Sequence, residues 1–322
     1  MNKKINIGVL GCANIAYNKV LPALKESEKF NVVGVASRNR EKANTFAAKF
    51  ETKAYYSYQD LLDDSKVEAV YIPLPNSLHY EWILKAIDNN LNILVEKSMA
   101  CTYGQVVELN ELAKERNVVL MENFQFRFHS QLSYIKNIVD EGVIGELRNV
   151  RSCFGFPPFP EKDNIRYSQK LGGGALLDAG AYPIKITQIF LGQDVYVASS
   201  SLAIPKNHEV DIWGSGFIKQ KNGPLTSHIA FGFDNYYQNS LELWGSKGKL
   251  STNRIFTAPS TLKPILNIET SEEKKSLELP TDNHFIKMLH HFYKMIITKE
   301  NLELEYFQNI NQSRLLNEFK RE

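Results

Sequence analysis

The chain has 322 residues, of which 43% are hydrophobic and 23% charged, and its formal net charge at pH 7 is +2. This composition excludes intrinsically disordered and collagen-like proteins, and the length is enough for about two domains. The small positive charge is spread along the chain and gives no electrostatic reason to expect nucleic acid or a membrane surface as partner. A small-molecule ligand is compatible with it.

The three cysteines, Cys12, Cys101 and Cys153, have no spacing typical of a disulfide framework or of a metal site. The apolar segment near the N-terminus is interrupted early by glycines, and no uninterrupted apolar run in the sequence is long enough to span a bilayer. We therefore expect a cytoplasmic protein that holds no metal.

Residues 5 to about 121 alternate between predicted strands and predicted helices. The strands are apolar runs without alternation, as in buried parallel sheets: Ile5–Leu10, Val32–Ala36, Ala69–Leu74, Ile93–Val95 and Val118–Met121. The helices carry apolar residues at helical spacing: Ile15–Glu26, Arg40–Phe50, Ser77–Asp88 and Thr102–Arg116. The pattern is typical of an α/β Rossmann fold with a doubly wound parallel sheet. We predict a dinucleotide-binding domain over residues 1–121.

After residue 121 the pattern changes to alternating, β-branched and aromatic segments separated by turn signals. The predicted strands are Glu146–Phe154, Val195–Leu202, Ile212–Lys219, Ser227–Phe233 and Ser240–Trp244, and the closing helices are Asp282–Ile297 and Glu305–Phe319. We predict a second, α+β domain over residues 122–322, with a mostly antiparallel sheet that has helices on one face.

The turn after the first predicted strand carries a degenerate dinucleotide fingerprint. From Gly11 it reads Gly-x-Ala-x-x-Ala, with Ala13 and Ala16 at the second and third glycine positions. Gly11 suits the tight turn, Ala13 narrows the approach to a pyrophosphate by one methyl group, and Ala16 permits close packing of helix on strand. Backbone amides near Asn14 and Ile15, where the helix begins, would bind the anion.

The second predicted strand is followed by Ser37-Arg38-Asn39-Arg40. At this place an enzyme that uses NAD would carry an acid that binds the ribose. A serine and a guanidinium suit a 2′-phosphate instead, because the planar fork can bind phosphate oxygens bidentately. The alternative is that Arg38 and Arg40 are solvated loop charges. We predict NADP as the cofactor, with NAD as the second choice.

The turn after the third predicted strand runs from Ile72 to His79 and contains two prolines, on either side of Leu74. In one interpretation the prolines stiffen a loop and Asn76 or Ser77 caps the next helix. In the other, the turn lines the dinucleotide, with Asn76 and His79 facing it. The sequence favours neither.

Two further segments can carry acid/base chemistry. Lys97 follows the predicted strand Ile93–Val95, and a glycine-rich segment places Asp178 and Tyr182 four residues apart, on one face of a helix. A lysine, an acid and a phenol that converge can move a proton onto a carbonyl oxygen. The alternative is a capped and packed helix without a chemical role.

In their order along the chain, these segments and Glu122–His129 resemble the glucose-fructose oxidoreductase and inositol dehydrogenase family over essentially the whole length. The resemblance implies hydride transfer to or from a sugar-like alcohol, and a C-terminal sheet that forms a homodimer or homotetramer. Lys97 matches the family lysine that contacts nicotinamide and substrate. Tyr182 matches the acid/base position, and Asp178 matches an acid one turn earlier.

Ser98 departs from the family pattern, in which a proline follows the lysine, and serine does not readily take the cis form that proline can. Glu96 and Asn123 are expected to contact the cofactor. Arg127 and Arg166 are candidates for contact with substrate or cofactor, or for surface ion pairs.

We predict an NADP-dependent oxidoreductase that interconverts a secondary alcohol and a ketone on a sugar, a cyclitol or a nucleotide-linked sugar. One alternative is a redox-assisted glycosidase that keeps its dinucleotide tightly bound. Another is a non-enzymatic dinucleotide-binding sensor, which would not need a lysine, an acid and a tyrosine together.

Overall fold

The computed structural model describes residues 3–161 and 163–320, which form two compact units. The first unit runs from the N-terminus to Asn123 and includes Phe285–Ile310; the second comprises Phe124–His284 and the chain from Asn311 onward. The predicted boundary at residues 121 and 122 lies within two residues of the first crossing. The prediction that residues 122–322 form one domain differs from this division, because residues 285–310 cluster with the first unit.

Contacts of aromatic side chains explain why residues 285–310 belong with the first unit. Phe292 stacks on Phe30 with ring centroids 6.2 Å apart. The hydroxyl of Tyr306 donates to the carbonyl of Val118 over 2.5 Å. These partners lie more than 180 residues away in the sequence, so the local pattern of the helices could not reveal them.

The first unit contains a six-stranded, fully parallel sheet in the order β3-β2-β1-β4-β5-β6. Its strands are β1 Ile5–Leu10, β2 Phe30–Ala36, β3 Lys53–Tyr55, β4 Ala69–Ile72, β5 Asn92–Glu96 and β6 Leu120–Asn123. Its helices are α1 Leu21–Glu26, α2 Arg40–Lys49, α3 Tyr58–Leu62, α4 Asn76–Asp88 and α5 Tyr103–Glu115. The predicted Rossmann fold is confirmed. The prediction missed β3, because three residues are too short to show a period.

The second unit contains an eight-stranded sheet in the order β14-β13-β12-β11-β7-β10-β9-β8, in which only the β7–β10 pair is parallel. Its strands are β7 Leu147–Gly155, β8 Val195–Ala203, β9 Trp213–Gln220, β10 Thr226–Gly232, β11 Gln238–Gly245, β12 Gly248–Asn253, β13 Ile265–Thr270 and β14 Lys274–Glu278. Helices α6 Ser130–Asp140 and α7 Ala181–Leu191 belong to it, and α8 His284–Thr298 and α9 Leu302–Glu318 close the chain. The predicted α+β class is confirmed.

A π-helical turn precedes α1 and another precedes α7, at Ala16–Val20 and Leu176–Gly180. In each case a proline, Pro22 or Pro183, follows within three residues. Because proline has no N–H to donate, the regular i to i−4 ladder is interrupted on its N-terminal side, and a wider turn accommodates the gap. The second π-turn contains Asp178 and leads directly into the helix that carries Tyr182.

Within residues 3–161 and 163–320, no helix is both long enough and apolar enough to cross a membrane.

Candidate active site

The predicted cofactor residues of the first unit lie at one edge of its sheet. Gly11, Ser37 and Lys97 each directly follow a strand, β1, β2 and β5 respectively. Because all strands are parallel, their carboxyl ends meet at this edge, which is where doubly wound sheets bind nucleotides. Glu96 and Asn123 are the last residues of β5 and β6, and Leu74 lies two residues beyond β4.

The turn after β1 fits a dinucleotide phosphate. Gly11 has φ +125°, a backbone conformation that favours glycine, and a Cβ there would lie 2.8 Å from Cδ2 of Leu74 and displace that side chain. Ala16 is fully buried against the sheet, as the fingerprint predicts for its third position. Asn14 is exposed, and Ala13 and Ile15 are half-buried, so the start of the helix remains open to a ligand.

The end of β2 fits a 2′-phosphate. Arg38 and Arg40 are exposed, and within the described parts of the chain neither has a carboxylate at ion-pair distance. The Arg38 guanidinium lies 6.0 Å from the ring centroid of Tyr58, an aromatic platform that the sequence analysis missed. Ser37 is buried, and its hydroxyl accepts from the Asn39 amide over 3.1 Å.

Glu96 is tied to two neighbouring strands. Its Oε1 accepts from the hydroxyl of Tyr71 over 2.6 Å and from Nδ2 of Asn123 over 2.7 Å. Desolvation of the carboxylate raises the pKa of Glu96, although part of the side chain reaches the surface. The two hydrogen bonds and the charge of Lys97 lower the pKa, but their effect is smaller. Glu96 therefore connects β4, β5 and β6 immediately before Lys97.

The turn that follows Lys97 is held by residues from elsewhere in the first unit. The Lys97–Ser98 peptide bond is cis, which corrects the expectation drawn from the missing proline. Ring nitrogens of His79 lie 2.8 Å from the Ser98 carbonyl oxygen and 2.7 Å from that of Leu74. The Met99 amide donates to Oε1 of Glu122 over 2.8 Å.

The surroundings of His79 favour a structural role over the predicted contact with the cofactor, which remains a prediction. The side chain is fully buried and both ring nitrogens face backbone carbonyls. Burial, with a smaller effect of the Lys97 charge, lowers the pKa of His79 to about 4, although the two carbonyls act in the opposite direction. Asn76 is the first residue of α4 and Pro75 occupies the N-cap position, so Asn76 is not the cap.

Tyr182 lies in an apolar cage in the second unit. Its ring centroid is 5.7 Å from that of Phe124, 5.0 Å from Phe154 and 5.6 Å from Phe256, and only 7% of the residue is exposed. Such a cage fixes the direction of the phenol and keeps water from its ring. A packed helix without a chemical role would explain why the Tyr182 ring is buried. It would not explain the charged groups that lie one turn earlier.

Those charged groups are Asp178 and Arg166. Nε of Arg166 donates to Oδ2 of Asp178 over 2.7 Å, and the guanidinium also lies 4.7 Å from the ring centroid of Phe159. The charge of Asp178 raises the pKa of Arg166, with smaller contributions from Tyr182 and Tyr167. The structure therefore brings three predicted residues together, Arg166, Asp178 and Tyr182.

The start of the Tyr182 helix is capped from a distant segment. Oδ2 of Asp211 accepts from the Leu176 amide over 2.6 Å, and the Asp211 carbonyl accepts from the Ala175 amide over 2.8 Å. Sequence reasoning missed Asp211, because an acid 35 residues beyond a helix start carries no local signal. Arg127, on the 3-10 turn Gln125–Phe128, is half-buried beside the Phe128 ring.

Among the described residues, no group of three or more His, Cys, Asp or Glu side chains could hold a metal ion. Lys97 belongs to the first unit, and Asp178 and Tyr182 belong to the second.

Two family models match the chain in succession. Residues 5–124 match the model described as an oxidoreductase family with an NAD-binding Rossmann fold, and residues 132–251 match the GFO/IDH/MocA C-terminal domain. The chain is 38% identical over 296 residues to dTDP-3,4-didehydro-2,6-dideoxy-alpha-D-glucose 3-reductase from Saccharopolyspora spinosa, covering 92% of this chain and 89% of the relative.

Solved structures agree with these matches. The crystal structure of KijD10, a 3-ketoreductase from Actinomadura kijaniata in complex with NADP and TDP-benzene, superposes with a TM-score of 0.94 at 36% identity. The match covers 98% of this chain and 96% of that one.

A more distant relative by sequence is D-xylose 1-dehydrogenase (NADP(+)) 2 from Haloferax volcanii. It is 28% identical over 96% of this chain and 94% of its own. The chain therefore belongs to the GFO/IDH/MocA family of NAD(P)-dependent oxidoreductases.

Proposed function

We propose that this protein uses NADPH to reduce a ketone on a sugar linked to a nucleoside diphosphate. The observation that carries the proposal is the similarity to dTDP-sugar 3-reductases, which at 38% identity extends through both units rather than through the nucleotide-binding half alone. The D-xylose dehydrogenase, at 28%, is more distant. A reductase of nucleotide-linked sugars is therefore favoured over a dehydrogenase of free sugars.

The residues at the edge of the first sheet fit NADP. Gly11 leaves room for the pyrophosphate, the amides near Asn14 and Ile15 can bind it, and Ser37 with Arg38 provides donors for the 2′-phosphate. When bound, NADPH supplies the hydride that is added to the carbonyl carbon. The chain itself must then provide a proton and stabilise the charge that develops on the carbonyl oxygen.

We assign these two tasks to Lys97 and Tyr182. The Lys97 ammonium stabilises the negative charge on the oxygen as it forms, and the Tyr182 hydroxyl donates its proton to that oxygen. The phenolate that remains takes a proton from solvent before the next turnover. The Phe124, Phe154 and Phe256 rings hold the phenol in place and exclude water from it.

The proposal is tested by following NADPH absorbance with a TDP-linked 3-keto sugar and, in parallel, with free keto sugars. We expect NADPH consumption with the nucleotide-linked ketone and at least tenfold lower kcat/KM with the free sugars. Consumption with free sugars alone would contradict the proposed substrate class. A redox-assisted glycosidase would instead release the aglycone of a glycoside with no net NADPH consumption, and a sensor would bind NADPH without turnover.

We also propose a homo-oligomer that forms through the outer face of the eight-stranded sheet. By strand register, that face carries Trp213, Phe217, His228 and Trp244, and the two tryptophans are 43% and 52% exposed. An exposed aromatic surface of this kind is typical of a subunit contact. Light scattering at micromolar concentration should give at least a dimer. Cytoplasmic location remains a prediction that rests on the odd number and the spacing of the three cysteines in the sequence.

A further inference from the structure

Arg254 and Tyr237 form a pair at one end of the sheet of the second unit. Tyr237 directly precedes β11, Arg254 directly follows β12, and the two strands are antiparallel neighbours, so the residues lie at the same edge. The Arg254 guanidinium lies 4.5 Å from the ring centroid of Tyr237. A guanidinium that stacks by its face keeps its N–H groups, which lie in the plane, available for an anion.

Arg254 has no acidic partner. The residue is exposed, and across the described ranges no carboxylate lies within 4.0 Å of its guanidinium. Other arginines of the same unit are paired: Arg166 with Asp178, and Arg151 with Glu242. The charge of Arg254 is therefore not used by an ion pair with any residue that the structure describes.

The backbone of Arg254 adopts a conformation that arginine does not favour. Its φ is +60°, and the other described non-glycine residues with positive φ, Glu51, Asn90, Asn117, Lys299 and Asn301, lie at helix ends, where the left-handed conformation is common. Arg254 alone follows a strand. Its amide donates to the Asn239 carbonyl over 2.6 Å, which holds this conformation. For folding alone, glycine or asparagine would suit the position better, so the arginine side chain points to a ligand.

The pair is connected to the Tyr182 cage within the second unit. Nδ2 of Asn239 donates to the Tyr237 hydroxyl over 3.1 Å, and Oδ1 of Asn239 accepts from the Phe256 amide over 2.9 Å. The Phe256 ring in turn packs against Tyr182. One asparagine therefore joins the Arg254–Tyr237 pair to the residue that forms a wall of the cage.

We propose that Arg254, oriented by Tyr237, binds the diphosphate of a nucleotide-linked substrate. This inference rests on the proposed function, because it concerns the non-reacting part of that substrate. The guanidinium binds phosphate oxygens through its in-plane N–H groups while its face stays on the Tyr237 ring. The pyrophosphate of the cofactor is a separate group, which we assign to the turn at Gly11.

The experiment measures binding without turnover, by calorimetry of TDP on the full-length protein saturated with NADP. We expect Arg254→Asn to weaken TDP binding at least tenfold, since a charge-assisted contact to phosphate is lost. Because asparagine tolerates positive φ, the melting temperature of the variant should equal or exceed that of the wild type. The affinity for NADPH should stay within twofold of the wild-type value.

Arg148→Asn is the matched control, because Arg148 is an exposed arginine near the start of β7 that already pairs with Glu146 over 2.8 Å. It should leave TDP binding unchanged. Wild-type affinity for TDP in Arg254→Asn, or no TDP binding by the wild type, would overturn the assignment. Loss of TDP binding in Arg254→Asn without ketone reduction by the wild type would uphold the subsite and contradict the proposed reaction. Reduction of the TDP-linked ketone by the wild type, together with wild-type TDP affinity in Arg254→Asn, would uphold the proposed reaction and overturn the subsite.

Discussion

Arg166 and Asp178 form a 2.7 Å ion pair that joins the 3-10 turn Ile165–Tyr167 to the helical segment leading to Tyr182. The pair engages the carboxylate that sequence reasoning had placed among the catalytic groups. An acid whose charge is neutralised in this way is a weak candidate for proton transfer. We therefore propose that Asp178 positions the helix and the Arg166 guanidinium, while the proton comes from Tyr182.

The two partners of this ion pair should behave as a unit. We expect Asp178→Asn and Arg166→Gln each to lower kcat/KM by about tenfold, and the double variant to be no worse than either single one, because each change removes the same contact. Steady-state kinetics of all three variants provides the test. Additive losses would show that the two side chains act independently.

Tyr182→Phe should lower kcat by about two orders of magnitude, the usual scale for a lost proton donor, with NADPH affinity unchanged. The ionisation on the basic limb of the pH–rate profile should disappear with it. Because the hydroxyl is the only group removed, the aromatic cage and the melting temperature should be preserved. Near-normal turnover with the same pH profile would exclude Tyr182 as the donor.

Lys97→Ala should also lower kcat by about two orders of magnitude or more, through loss of the charge that stabilises the developing oxyanion. A modest loss of NADPH affinity is expected as well, since we predict that the Lys97 side chain also contacts the nicotinamide. Lys97→Arg, which keeps the charge on a differently shaped group, should recover only part of the rate. Full activity of Lys97→Ala would rule out the electrostatic role.

Arg38 should determine the choice between the two dinucleotides. The wild type should bind NADPH at least about tenfold more tightly than NADH, and Arg38→Ala should remove most of that preference, because the contact is to the 2′-phosphate alone. Fluorescence titration with both cofactors measures the effect, and Arg116→Ala, at the C-terminal end of α5, provides the control. Equal affinities in the wild type would contradict the prediction.

Glu96 should make the stability of the protein depend on pH. Its pKa is raised in the folded state, so its contribution to stability is fully present below the unfolded pKa and is lost as pH rises through the folded pKa. Glu96→Gln retains the acceptor for Tyr71 and Asn123 without the charge. The melting temperature of the variant minus that of the wild type should therefore increase as the pH rises above the ordinary glutamate pKa of 4.5, as calorimetric scans would show. A difference independent of pH would contradict this linkage.

Sequence reasoning identified the features that depend on neighbouring residues. The alternation of apolar runs and amphipathic segments identified the Rossmann fold, and β1 coincides with its predicted bounds at Ile5–Leu10. Gly11, Ser37, Arg38 and Lys97 were recognised because each follows a strand, and parallel strands end at one edge. The four-residue spacing of Asp178 and Tyr182 placed them on one helix face.

The tertiary structure alone decided what those residues contact. His79 holds the backbone of Leu74 and Ser98, Asp211 caps the helix of Tyr182, and residues 285–310 pack with the first unit. The strands β12, β13 and β14 also escaped prediction, and all five residues of β14 are exposed. For Asp211 and residues 285–310 the deciding partner is distant in the sequence, whereas β14 pairs with its neighbour β13 and was missed because its exposed residues show no apolar period. A local pattern reports propensity and periodicity, whereas hydrogen bonds and burial depend on which distant segments the fold brings together.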